Sequence, residues 1–102
     1  MKITQELLDD LTAKAKASPR LRMNMDLRNS PEDQSQRMLN AIEPGSEVPV
    51  HRHRLSSETV VCLRGRLVEE YCDEAGSVVD SIELTPSGPV VALNIMTKQY
   101  FT

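Results

Sequence analysis

Apolar residues recur along this chain at two different periods, and the change of period divides it. Leu7, Leu8, Leu11 and Ala15 fall at helical spacing and make one apolar stripe. Thr4 stands where it can accept the first backbone N–H groups, Glu6 places a negative charge in the first turn, and Ser18-Pro19 stops the run. A helix is therefore predicted within residues 1–20. Lys14 borders the stripe and Lys16 lies opposite it, the pattern of a structural helix laid on the outside of a sheet.

From Leu21 to Gln36 the chain is polar and rich in turn formers, with Asn24, Asn29, Ser30-Pro31, Glu32 and Asp33, and reads as a connecting loop with room for one short strand. Beyond it the period becomes that of strands. Gln36–Glu43, Val48–His53, Glu58–Leu63, Leu67–Cys72, Val78–Leu84 and Val90–Ile95 are short apolar-rich runs. Pro44-Gly45, Arg64-Gly65, Asp73-Glu74-Ala75-Gly76 and Pro86-Ser87-Gly88-Pro89 punctuate them. Strands at this spacing predict a mainly β sandwich or barrel over residues 36–95, within a single domain of residues 1–102. The chain shows no internal repeat.

Within the strand region, Gly45 to Gly65 reads G-x5-H-x-H-x4-E-x6-G through His51, His53 and Glu58. Two imidazoles at i and i+2 on an extended strand point to one face, and a turn can bring a carboxylate on the next strand beside them. Neutral imidazole plus carboxylate suits a divalent transition metal such as Zn, Fe, Mn or Ni, and three such ligands leave positions open for water or substrate. An isolated H-x-H pair between Arg52 and Arg54 would read better as a solvated basic loop. Glu58 and the framing glycines, in register, turn the reading toward a metal site. Gly65 is placed where a hairpin between the Glu58 and Leu67 strands is expected to reverse.

The same stretch resembles the first signature motif of the cupins. Ser18–Asn24 (S-P-R-L-R-M-N), Gln36–Gly45 (Q-R-M-L-N-A-I-E-P-G), His51–His53 and Glu58–Leu67 (E-T-V-V-C-L-R-G-R-L) are similar to the WbuC family of small cupin-fold metalloproteins. The resemblance implies a cupin-like jelly roll, metal held by His51, His53 and Glu58, and a connection with polysaccharide or lipopolysaccharide O-antigen biosynthesis. The second cupin motif, P-x-G-x2-H, departs from the pattern. Met96 and Lys98 stand where its proline and glycine are expected, and Phe101 stands at about the histidine position. Aligning Pro86-Ser87-Gly88 instead puts Val91 at the histidine position. Either way a fourth ligand is expected to be missing, together with the closing C-terminal strands.

If His51 and His53 face inward, Glu47 and Pro49 share their side, while Val48, Val50 and Arg52 face out. On the next strand Glu58, Val60 and Cys62 face in. The outward Val48, Val50, Val61 and Leu63 are too apolar to stay together in water, so a second layer or another subunit is expected to cover them. A homodimer is the preferred expectation. Unclosed sheet edges add to it, through strand exchange over residues 90–102. Tyr100 and Phe101 would then anchor in a partner or lie in a frayed tail.

Composition narrows the partners. Tyr71, Tyr100 and Phe101 are the only aromatic residues, so the core must rest on Val, Leu, Ile and Met. The net charge of -3 gives no electrostatic reason for binding a nucleic-acid backbone. No apolar run approaches the length of a membrane span, and Cys62 and Cys72 fall too far apart on the expected hairpin to form a disulfide, so a cytoplasmic protein is expected. Cys62 reads as a small buried apolar residue. Eight arginines against four lysines, with Arg37, Arg52 and Arg54 on or beside the site strands, fit a small anionic ligand such as a sugar phosphate or sugar acid, with Arg37 and Arg52 as its binding residues. For any single arginine, plain surface charge is the stronger account.

Two functions follow from different classes. One is a metal-binding protein acting on or sensing a small anionic carbohydrate-related molecule. The other is a catalytically inactive cupin remnant serving as a dimeric binding or structural module.

Overall fold

Helix α1 (Gln5–Ala17) begins where the sequence places its cap: the Thr4 hydroxyl accepts the Leu7 N–H at 3.2 Å. The structure is a computed structural model that describes residues 1–49, 51, 57–96 and, for the backbone, 100–101. The chain divides into two units, Met1–Glu47 and Val48–Thr102.

In the first unit, Leu11 and Ala15 are the buried residues of α1, and the helix packs on β1 (Arg22–Asp26) and β2 (Met38–Ile42). These strands pair antiparallel, with Met23 opposite Ala41 and Met25 opposite Leu39. Those four side chains are buried or half-buried and face the helix stripe, so the small core is made of Leu, Ala and Met. β1 is the one short strand for which the reading of Leu21–Gln36 left room, though its place was not read. Its Met23-Asn24-Met25-Asp26 alternation is a strand period, but two apolar positions among turn formers give too short a signal. The unit ends in a turn closed by the Ser46 N–H to the Glu43 carbonyl at 3.1 Å. Pro44 and Gly45 take its second and third positions, and Gly45 has φ +92°, the left-handed conformation of a type II turn.

In the second unit, β3 (Glu58–Val61) pairs antiparallel with β6 (Ala92–Ile95). A three-stranded sheet runs in the order β5-β4-β7, with β4 (Leu67–Cys72), β5 (Val78–Leu84) and β7 (Tyr100–Phe101). β4 and β5 pair antiparallel across the turn read at Asp73–Gly76. That turn is tied by Asp73, whose Oδ1 accepts the N–H groups of Ala75 and Ser77 at 3.0 and 2.9 Å. Cys62, Cys72, Leu84 and Ile95 are buried. Both cysteines are free thiols.

Three expectations change. β3 and β4 are not a hairpin: Gly65, at φ +76°, lies in a link that carries the chain from the β3–β6 ladder to the β4 sheet. The backbone of Tyr100–Phe101 forms a further strand, β7, paired with β4, Tyr71 opposite Phe101 and Cys72 opposite Tyr100, beyond the six runs read from the sequence. The sheets do not close into a barrel among the described residues, although the mainly β class with one N-terminal helix holds.

Candidate metal centre

His51 enters the second unit six residues beyond the Gly45 turn, in an isolated β-bridge, and is half-buried. Its Nδ1 lies 2.9 Å from the Pro49 carbonyl oxygen. A carbonyl only accepts, so Nδ1 carries the proton and the lone pair of the neutral ring stands on Nε2. This is the arrangement in which an imidazole serves as a metal ligand: one nitrogen tied to a backbone carbonyl, the other basic.

The predicted strand around His51 is only partly described. Val50, Arg52 and His53 lie outside the described residues. Val48 is half-buried while Glu47 and Pro49 are exposed, the reverse of the predicted phase.

Glu58 opens β3 opposite Ile95, which is 1% exposed. The β3 phase is the predicted one: Glu58, Val60 and Cys62 are half-buried or buried, and Thr59, Val61 and Leu63 are exposed. The Cys62 thiol points at the Arg64 and Gly65 carbonyls, 3.5 and 3.8 Å away, as a small buried side chain of the link. His51 and Glu58 thus belong to the same unit. Among the described residues no three His, Cys, Asp or Glu side chains form a cation cage, and His53, the third predicted ligand, is outside them.

Glu69 escaped the sequence reading. It sits on β4 between the half-buried Leu67 and Tyr71 positions, and is itself half-buried. Its Oε2 is shielded from solvent and has no hydrogen-bond partner. Burial, with the Glu58 carboxylate adding repulsion, pushes its pKa up to about 7. Glu69-Glu70 looks in sequence like a solvated charged pair. The one signal was the period-two step Leu67, Glu69, Tyr71, which places a carboxylate on an apolar face.

Arg37 belongs to the first unit. Its Nη2 donates to the Leu27 carbonyl at 3.1 Å and to Asp33 Oδ2 at 3.3 Å. With Asp26, Arg28, Gln36 and Met38 it lines a cleft of about 150 Å³. Arg28 is held by both oxygens of Asp26, at 2.9 to 3.2 Å. The carboxyl of Asp26 is held below its usual range by Arg28. That of Asp33 is lowered first by the Ser35 and Asn29 N–H groups and then by Arg37. Each guanidinium in this cleft therefore already has an internal carboxylate.

These features define a mainly β protein with one N-terminal helix and short antiparallel sheets, in which an oriented imidazole and inward carboxylates share the second unit. Residues 3–84 match the family described as a domain of unknown function, DUF6016, and the chain belongs to that family. The chain matches no curated protein and no solved structure. Among the described residues no helix is long and apolar enough to cross a membrane.

Proposed function

We propose that this chain is a metal-binding protein of cupin type, similar to the WbuC family, in which His51, His53 and Glu58 hold a divalent Zn, Fe, Mn or Ni ion. In this reading it works in the cytoplasm, acting on or sensing a small anionic carbohydrate-related molecule of polysaccharide or lipopolysaccharide biosynthesis, with Arg52 as its anion-binding residue. The observation that carries the reading is the Nδ1 contact of His51 to the Pro49 carbonyl, since it leaves Nε2 as the basic nitrogen. Glu58, on the half-buried face of β3, is the second support.

Two imidazoles and one carboxylate leave coordination positions open, and a metal held this way would supply Lewis-acid chemistry or an activated water. The protein's part is to hold the Nδ1 side of His51 on the Pro49 carbonyl and to place Glu58 in β3 opposite the buried Ile95. The test is equilibrium dialysis of untagged protein against each of the four ions. About one ion per chain is expected for a three-ligand site, and His51→Ala should lose it. Folded protein that takes up none of the four at saturation contradicts the reading.

A second reading, a dimeric cupin remnant without catalysis, is favoured by the outward apolar face. Val61 and Leu63 are 54% and 52% exposed in the single chain. Sedimentation equilibrium of the metal-free protein, with Val61→Lys as the control, separates this reading from a monomer. A wild-type dimer that the lysine dissociates supports it.

A further inference from the structure

Strand β1 pairs with β2 on one side and, among the described residues, with no strand on the other. Which backbone groups face that open side follows from the ladder. The Leu27 N–H donates to the Arg37 carbonyl at 2.9 Å and the Glu43 N–H to the Leu21 carbonyl at 2.8 Å, so Leu27/Arg37 and Leu21/Glu43 are hydrogen-bonded pairs. Antiparallel ladders alternate such pairs with unbonded ones. Met23 and Met25 therefore bond toward β2, while the N–H and C=O groups of Arg22, Asn24 and Asp26 point outward.

Open edges are usually blunted against other chains, and this chain offers a direct comparison. β5 is the outer strand of its sheet, but its register shifts opposite Tyr71 and Cys72, and its Ser81 N–H is taken by Asp80 Oδ1 at 2.9 Å. β1 has neither device. Its register with β2 is unbroken, and it carries no proline and no lysine.

The order of side chains along β1 shows what fits there. Arg22-Met23-Asn24-Met25-Asp26 reads cation, apolar, amide, apolar, anion, and laid antiparallel against itself about Asn24 it is complementary at every position. Arg22 falls opposite Asp26 of a second copy, Met23 opposite Met25, and Asn24 opposite Asn24. The outward backbone groups belong to the Arg22/Asp26 and Asn24/Asn24 pairs, so these become the hydrogen-bonded pairs, each exchanging two bonds. The charged ends can take the added contact. Asp26 already holds Arg28, yet a carboxylate accepts several donors, and Arg22 gives one N–H to the Glu47 carbonyl at 3.1 Å and keeps its others. β2, as Met38-Leu39-Asn40-Ala41-Ile42, has no charge within the strand to fix such a register.

We propose that two copies of this chain join edge to edge through β1 about a two-fold axis at Asn24, making one antiparallel sheet in the order β2-β1-β1-β2 with both α1 helices on the same face. Cross-strand ion pairs at the two ends set the register, and the methionines extend the apolar layer beneath the helices across the join. The interface holds with or without a bound metal, and it uses residues of the first unit rather than the outward Val61 and Leu63 of the second.

Sedimentation equilibrium of the full untagged chain in EDTA provides the test, with wild type, Asn24→Pro, Arg22→Glu and Val61→Lys compared after a circular dichroism check of folding. Asn24→Pro deletes an N–H that faces away from β2, so the β1–β2 ladder stays while one bond per copy is lost. A wild-type dimer is expected, with a dissociation constant about tenfold or more higher in Asn24→Pro, a factor that two bonds of ordinary net strength supply. Arg22→Glu sets carboxylates opposite each other at both ends and should weaken the dimer too, whereas Val61→Lys should not. Geometry is checked with Asn24→Cys and Asn40→Cys under oxidised glutathione. Opposed Cα atoms of a hydrogen-bonded pair lie about 5.5 Å apart, within reach of a disulfide, so Asn24→Cys should give a covalent dimer. Asn40→Cys, opposite it on β2, should not. A monomeric wild type overturns the proposal, as does a dimer that Val61→Lys dissociates and Asn24→Pro leaves intact. If Asn24→Pro does not fold, the cysteine variants decide, and Asn24→Cys that stays uncrosslinked under oxidation contradicts the β1 interface.

Discussion

At the scale of single residues, two positions show how differently sequence and structure speak. Gly45 was legible: Pro-Gly before a strand is a turn signal, and its φ of +92° is what a type II turn requires. A Cβ there would also sit 3.4 Å from the Leu21 Cδ1. Gly45→Ala should therefore destabilise the first unit by about 1–2 kcal/mol, the usual cost of left-handed backbone at a residue with a Cβ, read as a lower urea midpoint. Glu69 was not legible, because whether a glutamate on a strand is solvated or enclosed depends on which strands flank it. Its raised pKa has a definite consequence in metal-free protein. The unfolded chain releases this proton near 4.5 and the folded one near 7, so between those values the folded state binds more protons and stability falls as pH rises. The penalty is absent below about pH 4.5 and complete above about pH 7. Urea midpoints in EDTA should show this slope in wild type and a flatter one in Glu69→Gln.

At the scale of elements, local signals were read well where an element needs no distant partner. Helix α1 follows from Thr4, the Leu7-Leu8-Leu11-Ala15 stripe and Ser18-Pro19, all within one stretch of chain. The β4–β5 hairpin follows from Asp73 and Gly76, which build their own turn. Removing the cap by Thr4→Ala should cost about 1 kcal/mol, seen as a lower thermal midpoint, because the Leu7 N–H loses its acceptor in an otherwise intact helix. Pairings between distant strands were not legible. Nothing in Glu58–Leu63 says that its partner is Ala92–Ile95 rather than the adjacent Leu67–Cys72. The pairing buries Ile95 and Cys62, at the two ends of the β3–β6 ladder, a property of the whole unit. Strand β1 was allowed for in the segment Leu21–Gln36 but not placed, since Met23 and Met25 gain their meaning only from Leu39 and Ala41 across the ladder.

For the molecule as a whole, the candidate site was half legible. The sequence named His51, His53 and Glu58 from their spacing. The structure adds what spacing cannot contain: the contact of His51 Nδ1 to the Pro49 carbonyl. Arg37, by contrast, was picked for charge and proximity in sequence, yet it belongs to the unit Met1–Glu47, while His51 and Glu58 belong to the unit Val48–Thr102. Its guanidinium is engaged by Asp33 and the Leu27 carbonyl, contacts that residue type alone does not announce. Arg37→Ala should therefore leave metal affinity unchanged in the dialysis experiment. The central claim is that an imidazole pair and carboxylate oxygen together grip a cation in the second unit. Metal-edge X-ray absorption of protein reconstituted with zinc examines that claim most directly. The account predicts a nitrogen and oxygen shell at about 2.0–2.2 Å with the outer-shell scattering of imidazole, lost in His51→Ala. A sulfur shell at about 2.3 Å, which would mean Cys62 or Cys72, or an imidazole signal that survives His51→Ala, would contradict it.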